Sequence, residues 1–318
     1  MPQPDGAPAS GPVDRPGLEA APQARTRRSF LATAGLYFKL TKPRVIELLL
    51  VTTVPPMFLA ANGIPSVALV FAVLLGGAAA AGGANTINCW IERDRDQVMH
   101  RTRHRPLPSG ELAPVRALWF GVVLEVIAFA FLWTTANLLA ASLAVGATLF
   151  YVFVYTIWLK PRSPQNIVIG GAAGAVPVLV GWAAVTGSLA GPAWVLFAVI
   201  FLWTPPHFWA LSVRYRDDYA AAGIPMLPVV KGIKVASRHI VVYSVLVVAA
   251  TLLLVPIASM GVVYTVAAIV LGGLFIAQAI VLARDLTPER ALKLFTFSNV
   301  YLALLFTAIA VDVVVRNA

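Results

Sequence analysis

The sequence has little charge and almost no cysteine. Asp, Glu, Lys and Arg make up 12% of its 318 residues, about half the share that is typical of soluble domains. The one cysteine, Cys89, excludes an intrachain disulfide and a CxxC metal site, and we predict that it is a small buried residue. Hydrophobic residues make up 59% of the chain. One soluble core cannot bury so much apolar surface, so the composition predicts a membrane protein.

Nine long apolar segments divide most of the chain. Each approaches the length of about 20 residues that crosses a bilayer, and none alternates as a barrel strand does, so helices are favoured. The predicted spans are 45–62, 66–90, 115–134, 137–157, 166–186, 192–213, 237–259, 262–283 and 292–314. We predict an all-α fold in which residues 37–318 form one transmembrane bundle. Residues 1–36 are predicted to be a disordered cytoplasmic tail, because its first part is rich in Pro, Ala, Gly and Arg.

Basic residues lie on one side of this predicted topology. Of the 24 Lys and Arg residues, all but Arg316 fall in the N-terminal tail or in loops that follow even-numbered spans. The positive-inside rule then places the N-terminus in the cytoplasm and the C-terminus outside. The net charge of +10 therefore indicates a lipid bilayer as partner rather than nucleic acid. Because the opposite loops are short, we predict that the active site lies at the cytoplasmic side.

The most informative polar stretch follows the second span. Asn88, Glu92 and Asp96 are spaced i, i+4 and i+8, so they share one face if the helix continues. Oxygen ligands in this pattern suit Mg²⁺, which keeps water and substrate phosphates in its shell. Arg101 and Arg105 follow, and guanidinium groups bind phosphate oxygens in a bidentate fashion. The pattern predicts a metal–diphosphate site; the alternative is a solvated charge ladder at a helix end.

A second polar stretch surrounds the sixth span. His207, Arg214 and Asp218 are spaced i, i+7 and i+11, again on one helical face. His207 lies within an apolar segment, where an ionisable group is a functional candidate. It could ligate iron, shuttle a proton or hydrogen-bond a neighbouring helix, and the residues alone do not decide. The pair Pro205-Pro206 is predicted to kink or break the helix and so to open room for a substrate.

A basic pair precedes a segment of small residues after the fourth span. Lys160 and Arg162 could bind phosphate or only set the topology. The glycines and alanines of 170–177 are interpreted as close helix-packing positions. Three further acids lie in or near the spans without an assigned role: Glu47, Glu125 and Asp312.

Taken together, these stretches resemble the UbiA-type intramembrane prenyltransferases, and among them the branch that farnesylates haem. The matching segments are 40–44, 88–108, 166–171, 181–187, 203–209 and 223–228. The chain departs from the superfamily pattern where Cys89 and Glu92 replace acids of the first motif and Arg214 replaces the first acid of the second. These changes place a complete two-Mg²⁺ site in doubt and favour the haem branch.

The resemblance implies transfer of a farnesyl group from farnesyl diphosphate to a vinyl group of haem B, which gives haem O and diphosphate. It implies Mg²⁺ as cofactor, with the ligands Asn88, Glu92, Asp96, Asp217 and Asp218. Of these, Asn88, Glu92, Asp96 and Asp218 carry the catalytic role. The implied diphosphate-binding residues are Lys42, Arg44, Arg101, Arg105, Lys160, Arg162 and Arg214. His207 is the predicted haem contact, as an iron ligand or through a propionate.

The implied location is the bacterial inner membrane. Haem A synthase, oxidase assembly factors and a second copy of the chain are open as partners. Two further function classes compete with this interpretation. A related prenyltransferase could use another acceptor, such as an aromatic acid, a quinone precursor or a chlorin. A transporter would place polar groups near the bilayer midplane with access to both faces, whereas here they crowd one face. A structural membrane subunit would not need two acid-bearing loops.

Overall fold

The computed structural model describes residues 29–317, and within them every regular element is helical. Nine of these helices are long and apolar enough to cross a membrane. They are α2 (Pro43–Ala61), α3 (Val67–Val98), α4 (Pro114–Thr135), α5 (Leu138–Leu159), α6 (Asn166–Thr186), α7 (Gly191–Arg214), α10 (Ile233–Ile257), α11 (Val262–Arg284) and α12 (Pro288–Arg316). The shorter helices are α1 (Phe30–Leu40), α8 (Arg216–Ala221) and α9 (Leu227–Val230). The predicted all-α bundle is confirmed.

Each long helix overlaps one predicted span, and for α6 the predicted and observed bounds are identical. The largest difference is at α3, which was predicted to end at residue 90 and ends at Val98. Hydropathy falls at the first charged residues, so a prediction based on it stops there. The helix continues because Glu92 and Asp96 are themselves buried, with 4% of each exposed.

Helix α1 begins before the predicted start of the domain at residue 37. Ser29 caps it by accepting a hydrogen bond from the backbone N–H of Ala32 (3.2 Å). Leu36 and Leu40, one turn apart, pack in a buried cluster with Cys89, which confirms the burial of that cysteine. Residues 29–36, assigned to the tail from sequence, thus form the cap and first part of a helix; residues 1–28 of the predicted tail lie outside the described residues.

Helices α6 and α7 form the centre of the bundle. In each of these two helices, 61% of the residues in the most apolar 18-residue stretch are buried, whereas the share is 22–44% in the other seven long helices. The outer helices leave large apolar side chains uncovered, among them Trp119, Val126 and Ile269. A monomeric soluble protein rarely shows so much exposed apolar surface, whereas a bilayer covers it.

Two glycines of α6, Gly170 and Gly181, lie where groups of neighbouring helices come closest. A Cβ built on Gly170 would collide with the ring of Tyr155, and one on Gly181 would collide with the backbone carbonyl of Thr53 in α2. Gly174, in the same helix, has nothing within 4 Å of a built Cβ. The interpretation of 170–177 as close helix packing is therefore confirmed at Gly170 but not at Gly174, and Gly181 is a further close-packing position outside that segment.

This contrast predicts that Gly181→Ala destabilises the protein and Gly174→Ala does not. The added methyl at Gly181 meets backbone that cannot rotate away, so we expect a loss of about 1–3 kcal/mol. At Gly174 alanine should be neutral or stabilising by up to about 1 kcal/mol, because it is the better helix former. Thermal unfolding in detergent checks both variants. Equal shifts of the two midpoints would contradict the role of Gly181 in the α2–α6 contact.

Asp312 caps a helix at the end of the bundle that carries the short loops. Its Oδ2 accepts from the backbone N–H of Gly261 (2.7 Å) and its Oδ1 from that of Tyr264 (3.0 Å), both at the start of α11. Arg316 lies at the same end and donates to the carbonyl of Ala258 (3.0 Å). Asp312, unassigned from sequence, thus stabilises the fold. Its neighbour Arg316 lies apart from the other basic residues, as the charge pattern predicts.

The other two unassigned acids, Glu125 and Glu47, differ in their surroundings. Glu125 in α4 accepts a hydrogen bond from the hydroxyl of Thr148 in α5 (3.0 Å) and lies against Gly83 of α3. Its role in the structure is a polar contact between three helices. Glu47 is exposed.

Candidate active site

The stripe of Asn88, Glu92 and Asp96 lies on one buried face of α3. They are 1%, 4% and 4% exposed, respectively, whereas Asp94 and Arg95 between them are exposed. A solvated ladder would expose all of these residues alike. That alternative is wrong for the stripe, and a buried row of an amide and two carboxylates needs polar partners.

Each stripe residue meets a cation from a different part of the chain. Lys42 Nζ donates to Asn88 Oδ1 (2.7 Å), from the turn before α2. Lys160, which follows α5, forms an ion pair with Glu92. Arg105, from the loop after α3, donates to Asp96 Oδ2 (2.7 Å). These three contacts gather the ends of α2, α3 and α5 at one end of the bundle, as the basic loops predict. We call these six residues the cation–acid cluster: Lys42, Asn88, Glu92, Asp96, Arg105 and Lys160.

A strained turn before α2 places Lys42 in this cluster. Lys42 has φ 55° and ψ 63°, in the left-handed region that non-glycine residues rarely adopt. The following Pro43 disfavours the right-handed helical conformation at Lys42, and Asn85 Nδ2 holds the turn by donating to the carbonyl of Thr41 (3.0 Å). Asn85 was not predicted, although it lies three residues before Asn88 on the same face. Strain of this kind is often kept at functional sites.

The second half of α5 is a π-helix, Phe150–Leu159. Thr156 shows the wide spacing, since its hydroxyl donates to the carbonyl of Tyr151 five residues earlier (2.8 Å). The same hydroxyl accepts from Asn88 Nδ2 (3.1 Å), so both ends of the Asn88 amide are held. The π-helix and Thr156 were not predicted, because apolar periodicity does not distinguish a π-turn from an α-turn. Such turns occur frequently at functional sites.

Ion pairs raise the pKa of two of the three cations. Burial by itself lowers the pKa of Lys160, but the Glu92 carboxylate outweighs it and the pKa is raised above its ordinary value. In the same way burial lowers and Asp96 raises the pKa of Arg105, with a net increase. Burial dominates at Lys42, and its pKa is lowered. The cation–acid cluster therefore holds permanent positive charge at Lys160 and Arg105.

A cleft of about 410 Å³ lies between the loop after α3 and the start of α8. The backbone N–H of Arg101 donates to Asp218 Oδ2 (3.2 Å) and ties the two segments together. The guanidinium groups of Arg101 and Arg214 lie over the ring of Tyr215, at 5.5 and 5.8 Å from its centroid. Asp217 also lines the cleft. The structure thus brings the two predicted polar stretches together, through Arg101 and Asp218.

Two predicted diphosphate-binding residues lie apart from these groups. Arg162 is exposed and donates to the carbonyls of Ile157 (2.8 Å) and Trp158 (3.2 Å), at the end of α5. Arg44 is exposed, and no hydrogen bond or ion pair reaches it from the described residues. Arg44 lies in the first turn of α2 and Arg162 in the turn after α5, and neither contacts the cation–acid cluster.

The five predicted metal ligands are not assembled into one cage. Within residues 29–317 no group of three or more Asp, Glu, His or Cys side chains is close enough to hold a metal ion. Glu92 Oε1 is buried and forms the ion pair with Lys160. At phosphate sites Mg²⁺ is usually bound by one or two protein carboxylates, and substrate phosphates and water fill the rest of its shell.

His207 lies in the core of the bundle. Its ring stacks between Trp203 and Phe295, and its Nδ1 is 2.7 Å from Ser298 Oγ of α12. Helix α7 runs through Pro205-Pro206 without interruption from Gly191 to Arg214, so a break at that pair is wrong. Neighbouring helices stabilise a proline-containing span by packing against it.

Comparison with known proteins agrees with this geometry. The sequence profile of the UbiA prenyltransferase family matches residues 49–305. A protoheme IX farnesyltransferase 1 of Saccharopolyspora erythraea is 57% identical over 297 residues, covering 92% of this chain and 94% of its own. A protoheme IX farnesyltransferase of Frankia alni is 54% identical, with 88% and 98% covered. One of Trichormus variabilis is 50% identical, with 93% of each chain covered.

Solved structures share the fold at lower identity. A structure described with the biosynthesis of digeranylgeranylglyceryl phosphate synthase has a TM-score of 0.73 at 20% identity, covering 89% of this chain and 99% of its own. A UbiA homolog from Archaeoglobus fulgidus, bound to GPP and Mg²⁺, has a TM-score of 0.60 at 19% identity, with 86% and 99% covered. These likenesses establish the arrangement of helices.

Proposed function

Because the chain belongs to the UbiA prenyltransferase family, we propose that it transfers the farnesyl group of farnesyl diphosphate to a vinyl group of haem B. The products are haem O and diphosphate. The acceptor is inferred from relatives named protoheme IX farnesyltransferase, which are 49–57% identical over most of the chain. The observation that supports the chemistry is the cation–acid cluster, which places buried positive charge beside carboxylates at one end of an apolar bundle.

The leaving diphosphate is the group whose growing negative charge the protein must stabilise. The bond between its oxygen and the allylic carbon of the farnesyl group breaks, and negative charge accumulates on the phosphate oxygens. Preorganised cations at that position lower the barrier more than an acid–base step does. Lys160 and Arg105 would supply fixed charge from within the cluster. Arg101 and Arg214 would add guanidinium groups from the cleft.

Mg²⁺ would be held by Asn88, Glu92 and Asp96 of α3, with Asp217 and Asp218 from the cleft at the start of α8. When bound, the ion supplies positive charge to the phosphate oxygens and orients them. The relative from Archaeoglobus fulgidus, described as bound to GPP and Mg²⁺, supports a divalent ion in this family. The residues of this chain would fix where the diphosphate lies. Lys42 orients Asn88, and the two ion pairs orient Glu92 and Asp96.

The remaining steps use the apolar interior. The allylic cation is attacked by the terminal carbon of the vinyl group, and a new carbon–carbon bond forms. Water then adds to the carbon beside the porphyrin ring and releases one proton, which completes the hydroxyethylfarnesyl group. His207 is proposed as the contact to haem.

The basic loops support a cytoplasmic active site in a bacterial inner membrane. In this orientation the N-terminus is cytoplasmic and the C-terminus is outside. Haem A synthase or oxidase assembly factors, which would receive the product, are proposed partners. A second copy of the chain is a further one.

A product assay tests the proposed function. Purified protein in detergent is incubated with haem B, farnesyl diphosphate and Mg²⁺, and the pigments are analysed by mass spectrometry. We expect a haem product that has gained one farnesyl group and one hydroxyl group. Prenylation of an aromatic acid or a chlorin, with haem unchanged, would overturn the acceptor and keep the diphosphate site. Folded protein that turns over no acceptor would overturn the transferase itself.

A further inference from the structure

The ring of His207 is fixed on both faces. The Trp203 ring stacks at 4.2 Å between centroids with 20° between planes, and the Phe295 ring at 4.4 Å with 29°. A ring that is stacked on both faces cannot flip about its Cβ–Cγ bond. Only its edges, which carry Nδ1 and Nε2, are available for bonding.

Ser298 determines which of these nitrogens carries the proton. The hydroxyl of Ser298 donates its one hydrogen to the carbonyl of Phe295 (2.7 Å). Its 2.7 Å contact with His207 Nδ1 must then be one in which the serine oxygen accepts. Nδ1 therefore carries the hydrogen and donates it.

The other nitrogen of the ring is consequently free. In this tautomer Nε2 has a lone pair, and no described residue offers it a hydrogen bond. Ser298 is itself held in place, because Trp203 Nε1 donates to its backbone carbonyl (3.0 Å). The arrangement presents an unprotonated imidazole nitrogen within an apolar bundle.

We propose that His207 Nε2 ligates the iron of the haem acceptor, and that Ser298 is the positioning residue that sets the tautomer. Histidines that bind metals usually donate their second ring N–H to an oxygen acceptor, which orients the ring and makes the bound nitrogen more basic. Ligation would fix the porphyrin relative to α7 and so present one vinyl group to the farnesyl chain. The inference rests on the proposed function only in taking haem as the ligand.

The test is a titration of the purified full-length protein with haem B, without farnesyl diphosphate, followed by the absorption spectrum. Wild type should show an imidazole-ligated spectrum. His207→Ala should lose it, and added free imidazole should restore it. Ser298→Ala should weaken haem affinity by about tenfold or more, whereas Ser298→Thr, which keeps the hydroxyl, should remain near wild type.

Two matched controls separate ligation from folding. Ser244→Ala removes another buried serine that donates to a carbonyl of its own helix (2.8 Å), and His239→Ala removes an exposed histidine. Neither should change the spectrum. A wild-type spectrum in His207→Ala would overturn the inference, and haem farnesylation by wild type would still stand. Ligated haem that wild type never farnesylates would instead overturn the proposed function and leave the ligand in place.

Discussion

Replacing Lys160 by methionine is expected to lower farnesyl transfer by about 10²–10³-fold, the effect of removing one preorganised charge from a transition state. Methionine keeps the length of the side chain and removes the ammonium group. Lys160 is 15% exposed and paired with a 5% exposed Glu92 carboxylate, so water cannot replace the lost charge. The decrease should appear in kcat, because the charge on the diphosphate grows as the bond breaks. Initial rates of haem product, measured over a range of farnesyl diphosphate concentrations, check this.

The structural cost of this variant must be separated from the catalytic one. Lys160→Met leaves Glu92 buried without its cation, which costs about 3–5 kcal/mol of stability. The double variant Lys160→Met/Glu92→Gln removes both charges and should regain much of the thermal stability. It should not regain activity. Recovery of near-wild-type turnover by the double variant would mean that Lys160 only neutralises Glu92. Lys231→Met, at an exposed lysine, is the control for loss of a surface charge.

The features that could be predicted from sequence are those that one helix displays on its own. The nine spans follow from runs of apolar residues. The alignment of Asn88, Glu92 and Asp96 follows from the helical period, which places residues four apart on one face. For α6, Gly187 ends the helix in the left-handed conformation that glycine favours, and the predicted and observed bounds agree. Each of these signals is local.

The partners of the stripe could not be predicted in the same way. Lys42 reaches Asn88 across 46 residues of sequence, and Thr156 reaches it across 68. A helical pattern shows which residues share a face, but it does not show which loop lies opposite. Arg44 and Arg162 illustrate the limit, because they are near the right lysines in sequence and lie apart from them in the fold. Ser298 carried no signal at all, since one serine in an apolar helix is usually bonded within its own helix, as Ser244 is.

The metal requirement provides a second large expected effect. A chelator should abolish farnesyl transfer and added Mg²⁺ should restore it, because joint binding by carboxylates and substrate phosphates is lost without the ion. Asp96→Asn should then raise the Mg²⁺ concentration for half-maximal activity and lower maximal turnover by about 10²-fold or more. Asparagine keeps an oxygen that accepts from Arg105 but removes the negative charge, so folding is largely preserved. Activity at a series of Mg²⁺ concentrations, with haem product as the readout, measures both quantities.

Asp94→Asn is the matched control, since it makes the same chemical change two residues away on the same helix. Asp94 is exposed and forms only a surface pair with Arg93 (3.6 Å), and such pairs contribute about 0–1 kcal/mol. Its Mg²⁺ dependence should match wild type. An equal effect of the two substitutions would mean that net negative charge on α3, rather than the buried stripe, determines metal binding. An Asp96→Asn enzyme with unchanged Mg²⁺ dependence but reduced turnover would assign Asp96 to holding Arg105 against the diphosphate, and the proposed metal ligands would then be Asn88, Glu92, Asp217 and Asp218.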